Sequence, residues 1–171
     1  GNDCPDVDDP ARLAAYFRAI QSLHRDSLLL AYHDIADGGL FGTLAEMAFA
    51  SRCGLAVDLP PAPQALPMLF AEELGAVVQV RAQDAAAALR RLAESGLATH
   101  AVGMPTSSGR ISLMHRGAML LDESRIDLHR AWSATTHALQ RLRDNPDDAD
   151  QEYDRILDAD DVPSHLSGAD R

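Results

Sequence analysis

Residues 28–50 read LLLAYHDIADGGLFGTLAEMAFA, and this stretch decides the fold. It opens with an apolar run that predicts a strand ending at Asp34. Because the run does not alternate with polar residues, we expect both faces of the strand to be covered. A pair of glycines then predicts a tight turn. Apolar residues at helical spacing predict a helix after the turn, with Gly54 as its C-terminal cap.

Strands and helices alternate along the rest of the chain, and a hairpin occurs late in it. Further strands are predicted at residues 55–59, 76–81, 98–102, 110–115 and 118–121. Further helices are predicted from Asp9-Pro10 onward, at 66–74, and along the apolar positions of 85–92 and 128–142. On the last of these helices, Trp132 and the leucines should belong to the core. This order predicts an α/β (α+β) fold, a mixed β-sheet flanked by helices.

Charge and composition exclude several classes of function. The chain has 171 residues and a net charge of −11, which argues against nucleic acid or an anionic membrane as a partner. All fifteen basic residues are Arg, so the lysine of a Walker-type loop and a Schiff-base amine are both excluded. No stretch of about 20 apolar residues predicts a membrane span. The two cysteines are far apart and predict neither a zinc site nor a disulfide framework, which favours a cytoplasmic location.

The strand end and the glycine pair form the first candidate site. Asp34 would present a carboxylate at the edge of the sheet, where ligands of α/β proteins usually bind. The loop Asp37-Gly38-Gly39 lets the backbone approach a ligand closely, and the following helix presents N–H groups to an anion. A phosphate bound to these amides, together with Mg²⁺ bound to Asp34, would account for the carboxylate, the glycine loop and the start of the helix. Spacing alone favours the simpler alternative, in which Asp37 caps the helix and the glycines only make a turn.

Two other sets of polar residues have simpler interpretations. Glu72-Glu73 could direct one carboxylate inward as a metal ligand or a base, but a solvated helix end is the better interpretation on spacing alone. The six histidines outside the stretch quoted above are assigned structural or surface roles, because none shows the spacing of a zinc site. The chain has no G-x-S-x-G turn, so a Ser-His-Asp hydrolase is not predicted.

Four stretches together resemble one family. They are PDVDDP (5–10), the quoted residues 28–50, FAEELGAVVQV (70–80) and LQRLRDNPDDADQEYD (139–154). In this order they are similar to phosphoribosylformylglycinamidine synthase in its large multidomain form. Within that family, the chain resembles the second of two C-terminal domains of the aminoimidazole ribonucleotide synthetase type. The resemblance covers nearly the whole chain.

This resemblance implies a reaction, its cofactors and its partners. In the family, ATP phosphorylates the amide oxygen of formylglycinamide ribonucleotide, and ammonia from glutamine then displaces phosphate to give the amidine, in de novo purine biosynthesis. Nucleotide (ATP or ADP) and Mg²⁺ are the implied cofactors. The implied partners are the other domains of the same enzyme, an ATP-binding synthetase domain and a glutaminase domain. The chain by itself is therefore expected to be inactive and to carry no catalytic residue.

The family motif H-D-x-S-D-G-G aligns with the turn after the first strand. By resemblance, Asp34 is a ligand of nucleotide-bound Mg²⁺. The residues implied in nucleotide binding are Ala36, Asp37, Gly38 and Gly39. Ala36 replaces the serine of the family, so only its backbone can make a contact. The family has two pseudo-symmetric nucleotide sites, and Asp34 is expected in the auxiliary one, with further metal ligands from a different domain.

The resemblance also sets the expected domain boundaries. Residues 1–158 are expected to form the synthetase-type domain. This domain is expected to lack its first strand, because the L-G-G-S segment of the family lies upstream of Gly1. Residues 159–171 are expected to begin a linker toward the glutaminase domain.

Two other hypotheses stay open. The segment from Asp144 to Arg171 holds ten acidic and two basic residues, so the chain could be a non-catalytic interaction module whose acidic tail recruits a basic partner. Solvation alone explains such a tail equally well. The second alternative is another ATP-dependent enzyme of the same superfamily, such as a selenophosphate synthetase or a thiamine-monophosphate kinase. The PDVDDP and RLRDNP segments fit that alternative poorly.

Overall fold

The computed structural model describes residues 9–158 of the chain. The predicted linker at 159–171 and most of the PDVDDP motif lie outside the described residues. The helices are α1 (Pro10–Arg25), α2 (Gly39–Ser51), α3 (Ala65–Phe70), α4 (Ala85–Glu94), α5 (Arg125–Arg143) and α6 (Pro146–Asp154). The strands are β1 (Leu29–Asp34), β2 (Gly54–Asp58), β3 (Ala76–Val80), β4 (Gly103–Thr106), β5 (Arg110–His115) and β6 (Ala118–Ser124). No helix within residues 9–158 is both long enough and apolar enough to cross a membrane.

These elements form two compact units with separate sheets. The first unit comprises the chain up to Asp34 together with Gly75–Ala101, and the second comprises Ile35–Leu74 and the chain from Val102 onward. Each unit combines helices with strands, so the predicted mixed α/β class is confirmed. The strands are divided between a two-stranded and a four-stranded sheet, where one sheet was predicted.

The first unit is built on an antiparallel pair of strands, β1 and β3. Helix α1 begins as predicted at Pro10, because the side chain of Asp9 accepts hydrogen bonds from the backbone N–H groups of Ala11 and Arg12. A small core joins the two helices of the unit to the strands. Its buried residues are Ala19 and Leu23 of α1 and Ala88 and Leu92 of α4, with Leu29 and Val80 packed against them.

Strand β1 is covered less completely than its sequence predicts. Leu29, Ala31 and His33 are partly buried, whereas the alternate residues Leu30, Tyr32 and Asp34 are exposed. The expected cover on both faces is therefore wrong within the described residues. The physical reason is that α1 and α4 pack around one side of a two-stranded ribbon and leave the alternate positions of β1 uncovered.

The second unit contains a mixed four-stranded sheet in the order β4-β2-β5-β6. Strands β2 and β5 are parallel, and the other two pairs are antiparallel. Helix α2 contacts α3 and α5, and α5 contacts α6. The most deeply buried side chains of this unit come from the sheet and from α2, and they include Ile111, Leu113, Val57, Thr43 and Leu44.

Three predicted boundaries are wrong, each for a steric or backbone reason. Helix α3 ends at Phe70, before the predicted Leu74, because the backbone of Ala71 is extended. The strand predicted at 98–102 lies instead at Gly103–Thr106, where the chain approaches β2 so closely that a Cβ at Gly103 would clash with Ala56 O. The left-handed C-cap of α2 is Arg52, with φ of 54°, and Gly54 begins β2 instead.

The predicted core stripe of α5 is also wrong within the described residues. Trp132 is 59% exposed, Leu139 is 61% exposed and Leu142 is 86% exposed. The residue of α5 that is deeply buried is the charged Arg125. Contacts with α2, β6 and α6 position this helix, yet they leave part of its apolar stripe in solvent, which periodicity alone does not predict.

Candidate nucleotide and metal site

Asp34 ends strand β1, as predicted, and lies opposite Ala76 of β3 in an antiparallel register. Its side chain is 71% exposed, so the carboxylate does not belong to the hydrophobic interior. The neighbouring His33 ring is held by a 2.7 Å hydrogen bond between its Nδ1 and the backbone oxygen of Asp34. The pairing with Ala76 fixes the backbone of Asp34, and the hydrogen bond to its carbonyl oxygen fixes the His33 ring.

A pair of tyrosine hydroxyl groups lies in the same unit. The hydroxyl oxygens of Tyr16 on α1 and Tyr32 on β1 are 2.6 Å apart. Burial, the hydrogen bond to Tyr32 and the negative charge of Asp34 all raise the pKa of Tyr16 above its ordinary value. Tyr16 thus stays neutral at physiological pH, and the formal charge at this end of β1 is that of the carboxylate. The sequence offered no signal for this pair, because its members are sixteen residues apart.

The second unit begins with the loop that carries the predicted nucleotide-binding residues. Gly38 has φ of 85° and Gly39 has φ of 64°, a left-handed conformation that favours glycine at both positions. A Cβ atom at Gly39 would lie 2.7 Å from Leu69 O and 2.9 Å from Phe70 Cα. Glycine is therefore required at position 39 for two reasons: the positive φ of its backbone and the close approach of the end of α3.

Two backbone amides of this loop already have acceptors. The N–H of Gly39 donates to Ala36 O at 2.9 Å, and the N–H of Gly38 donates to the Glu72 carboxylate oxygen Oε1 at 3.1 Å. Glu72 and Glu73 are both exposed, as the solvated interpretation predicts, but they lie in the loop after α3, and Glu72 also makes a specific contact. A carboxylate thus occupies the amide of Gly38, and this position accepts an anion.

Gly38, and not Asp37, is the N-cap of α2. Gly38 has no side chain that could cap the helix, and the first turn of α2 carries no acidic residue. The proposed capping role of Asp37 is therefore wrong. The carboxylate that meets the positive end of the α2 dipole is Glu72, which comes from outside the helix, and its contact shows that this position accepts an anion.

The donor set suits a hard cation that is held together with a nucleotide. Mg²⁺ in nucleotide sites usually takes one or two carboxylates, with phosphate oxygens and water completing its coordination. Asp34 supplies one such carboxylate. Among residues 9–158, no group of three or more His, Cys, Asp or Glu side chains is arranged to hold a metal ion. Asp34 and the loop at Ala36–Gly39 are neighbours in sequence, and they belong to different compact units.

Comparison with known proteins identifies the family of this chain and several solved structures with a similar fold. A family model described as "AIR synthase related protein, C-terminal domain" matches residues 1–116. The chain is similar to Thermotoga maritima PurL complexed with ATP, with a TM-score of 0.64 and 20% identity over 70% of this chain and 22% of that one. PurL of the same organism complexed with FGAR gives a TM-score of 0.65 and 20% identity over 71% and 21% of the two chains.

A third similar structure is phosphoribosylformylglycinamidine synthase II of Thermotoga maritima. Its TM-score is 0.64 and its identity is 19%, over 73% of this chain and 23% of that one. At these identities the likeness shows a shared fold. The chain spans about a fifth of the length of the solved structures that it matches.

Proposed function

Because the chain belongs to the family of AIR synthase related proteins, as a C-terminal domain of that type, we propose that it is a domain of phosphoribosylformylglycinamidine synthase. This ATP-dependent ligase converts formylglycinamide ribonucleotide, glutamine and ATP to formylglycinamidine ribonucleotide in purine biosynthesis. One observation carries the proposal. The family match coincides with a strand that ends in an exposed Asp34 and is followed by a glycine-paired helix start.

The domain contributes to a nucleotide site that other domains complete. Asp34 binds Mg²⁺ through its carboxylate, and the backbone of Ala36, Asp37, Gly38 and Gly39 faces the phosphates. When bound, Mg²⁺ offsets the negative charge on the phosphoryl oxygens. The chain supplies one carboxylate and the backbone amide of Gly38, for which phosphate competes with Glu72. The other ligands come from the ATP-binding synthetase domain, and the glutaminase domain supplies ammonia.

This nucleotide site is the auxiliary one of the enzyme, where bound nucleotide stabilises the assembly of domains. In this role residues 1–158 act as one domain and 159–171 as the start of the linker toward the glutaminase domain. The complete enzyme works in the cytoplasm. These assignments rest on the family resemblance and on the position of Asp34 next to the glycine pair.

The first test uses the isolated chain. Incubation with ATP, Mg²⁺, ammonia and formylglycinamide ribonucleotide should give no amidine product above background, because the chain supplies only part of a site. Product can be followed chromatographically, with the complete enzyme as the positive control. Turnover by the isolated chain would show that its residues form a complete active site, contrary to the proposal.

A second test concerns Glu72, whose carboxylate occupies the amide of Gly38. Nucleotide phosphates and Glu72 compete for that amide and repel each other. In the enzyme that carries this domain, Glu72→Gln should therefore tighten nucleotide binding about two- to fivefold, the range expected for one exposed charge. Equilibrium dialysis with labelled ADP measures this change.

The matched control for Glu72 is Glu73→Gln, which removes the same charge from the next residue. This control should leave nucleotide affinity within about twofold of the wild type. Weaker nucleotide binding in Glu72→Gln would identify Glu72 as a metal ligand and would contradict its role as a competitor.

A further inference from the structure

A cavity lies within the second unit, between α5 and the α6 region, and is named here the α5–α6 cleft. Its volume is about 460 Å³, within the range of small-molecule sites. One wall is a single face of α5, formed by residues three or four positions apart: Arg125, His129, Trp132, Thr136 and Gln140. The facing wall includes Tyr153, Arg155 and Ile156.

Arg125 is the unusual residue of this cleft. It is the first residue of α5 and is 5% exposed. Its Nε atom is buried and has no hydrogen-bond acceptor among residues 9–158. A buried cationic donor without a partner costs free energy, and a cation at a helix N-terminus also opposes the helix dipole. Neither packing nor helix stability explains an arginine at this position.

Arg52 places a further positive charge near Arg125. Burial and, after it, the charge of Arg52 lower the pKa of Arg125, while Cys53 acts weakly in the opposite direction. His129 lines the same cleft, and burial together with the charges of Arg125 and Arg52 lowers its pKa as well. The Nδ1 atom of His129 is buried without a partner among the described residues.

The ring of His129 is held in a fixed position. It stacks on Phe49 with ring centroids 4.5 Å apart and planes 6° apart, and Trp132 lies at 6.1 Å from it. This packing prevents the imidazole from turning toward solvent to find a partner. Arg125 and His129 both line the cleft from adjacent turns of α5, and each carries one buried nitrogen without a partner among the described residues.

The carboxylates near the cleft do not neutralise Arg125. Glu152 and Asp158 also line the cavity, but neither carboxylate is among the groups that shift the pKa of Arg125. Asp150 is paired elsewhere, at 2.7 Å from His137 Nε2 and 2.9 Å from Arg141. An anion from outside the described residues would supply the missing negative charge.

We propose that the α5–α6 cleft binds a small molecule through an oxyanion group, a phosphate or a carboxylate, that sits on the guanidinium of Arg125. A guanidinium donates two parallel hydrogen bonds to such a group, which suits one deeply buried arginine better than a shared surface patch does. The exposed ring of Trp132 provides an apolar wall for the rest of the ligand. This site is separate in sequence from Asp34 and the glycine loop, and the proposal does not depend on the proposed function.

The test is a thermal denaturation of the full chain in increasing inorganic phosphate, with chloride used to hold the ionic strength constant. The melting temperature of the wild type should rise with phosphate beyond any effect of chloride. Arg125→Met should weaken the apparent phosphate affinity about tenfold or more, as loss of a charge-assisted hydrogen bond predicts. Wild-type melting that does not respond to phosphate would overturn the proposal.

Two further measurements separate a binding role from a structural role of Arg125. Without phosphate, Arg125→Met should raise the melting temperature by about 2–4 °C, because it removes an uncompensated buried charge. A lower melting temperature would mean that Arg125 stabilises the fold and would contradict the proposal. The control is Arg143→Met, on the same helix, where Arg143 is exposed and paired with Asp144. It should keep the full response to phosphate.

The alternative to a small-molecule ligand is a carboxylate of the chain itself, which has the same oxyanion chemistry and would bind to Arg125. The full chain carrying Asp160→Asn and Asp161→Asn tests this source, since these are the acids that follow the cleft residue Asp158 in sequence. Phosphate affinity equal to the wild type supports a free small molecule as the ligand. Tighter phosphate binding in this variant would show that the chain's own carboxylates occupy the cleft, and would overturn the proposal.

Discussion

Gly39→Ala should lower the free energy of unfolding by about 2–4 kcal/mol. Two effects add to this value. The residue has φ of 64°, a conformation that costs an alanine about 1 kcal/mol. Its new Cβ would also lie 2.7 Å from Leu69 O and 2.9 Å from Phe70 Cα, both backbone atoms, so the end of α3 must move away from α2. Urea denaturation of the full chain measures the loss.

Gly117→Ala is the matched control, since it lies in the same unit with φ of 79° and no atom within 4 Å of a new Cβ. It should cost only the conformational part, about 1 kcal/mol. If both variants lose the same stability, the close approach of α3 to Gly39 contributes nothing. That result would contradict the steric explanation of the second glycine.

Asp34→Asn should weaken the retention of nucleotide and Mg²⁺ at least about tenfold in the enzyme that carries this domain. An amide keeps the size of the side chain but loses the negative charge and one oxygen, and Mg²⁺ strongly prefers carboxylate and phosphate oxygens. The nucleotide that remains after extensive dialysis can be quantified by chromatography, and the metal by elemental analysis.

Two controls separate metal binding from folding in this experiment. Because the Asp34 side chain is 71% exposed, Asp34→Asn should change the free energy of unfolding by less than about 0.5 kcal/mol. Asp26→Asn removes another carboxylate of the same unit, one that pairs with Arg91, and should leave nucleotide retention unchanged. Wild-type nucleotide and metal content in Asp34→Asn would remove Asp34 from the site.

Local sequence patterns predicted the strand, turn and helix around Asp34 correctly. They failed where pairing over long distances decides the outcome. Strand β1 pairs with β3 in its own antiparallel ribbon, so the rule for ligand sites at the edge of a parallel sheet does not apply to Asp34. The fourth strand lies at Gly103–Thr106 because only glycine permits the approach to β2, a constraint that appears only once the partner strand is known.

The candidate site could be predicted only in part for the same reason. The glycine pair is visible in the sequence, whereas the contact of Gly38 with Glu72 joins residues 34 positions apart. The acidic segment is another example, because its composition suggests a solvated tail. Several of its carboxylates instead form pairs within the chain: Asp144 with Arg143, Asp150 with His137 and Arg141, and Asp154 with Arg130.

Nothing in the sequence indicated that Arg125 is buried or that it has a role in binding. Its spacing along α5 is that of any residue on the buried face of a helix, and arginine is rarely buried without a partner. Only the coordinates reveal that Nε is enclosed while Trp132, the expected core residue of the same helix, is exposed. Burial depends on which neighbours cover a helix, and those neighbours are set by the whole fold.

The central claim is that Asp34 binds the metal of a nucleotide site completed by other domains. Crystals of the complete enzyme grown with ADP and Mn²⁺ in place of Mg²⁺ test it most directly, since Mn²⁺ is located by its anomalous signal. The account predicts a manganese peak within about 2.2 Å of an Asp34 carboxylate oxygen, with ADP phosphate oxygens in the same coordination shell. A manganese–ADP complex bound entirely by other residues, with Asp34 outside the coordination shell, would contradict it.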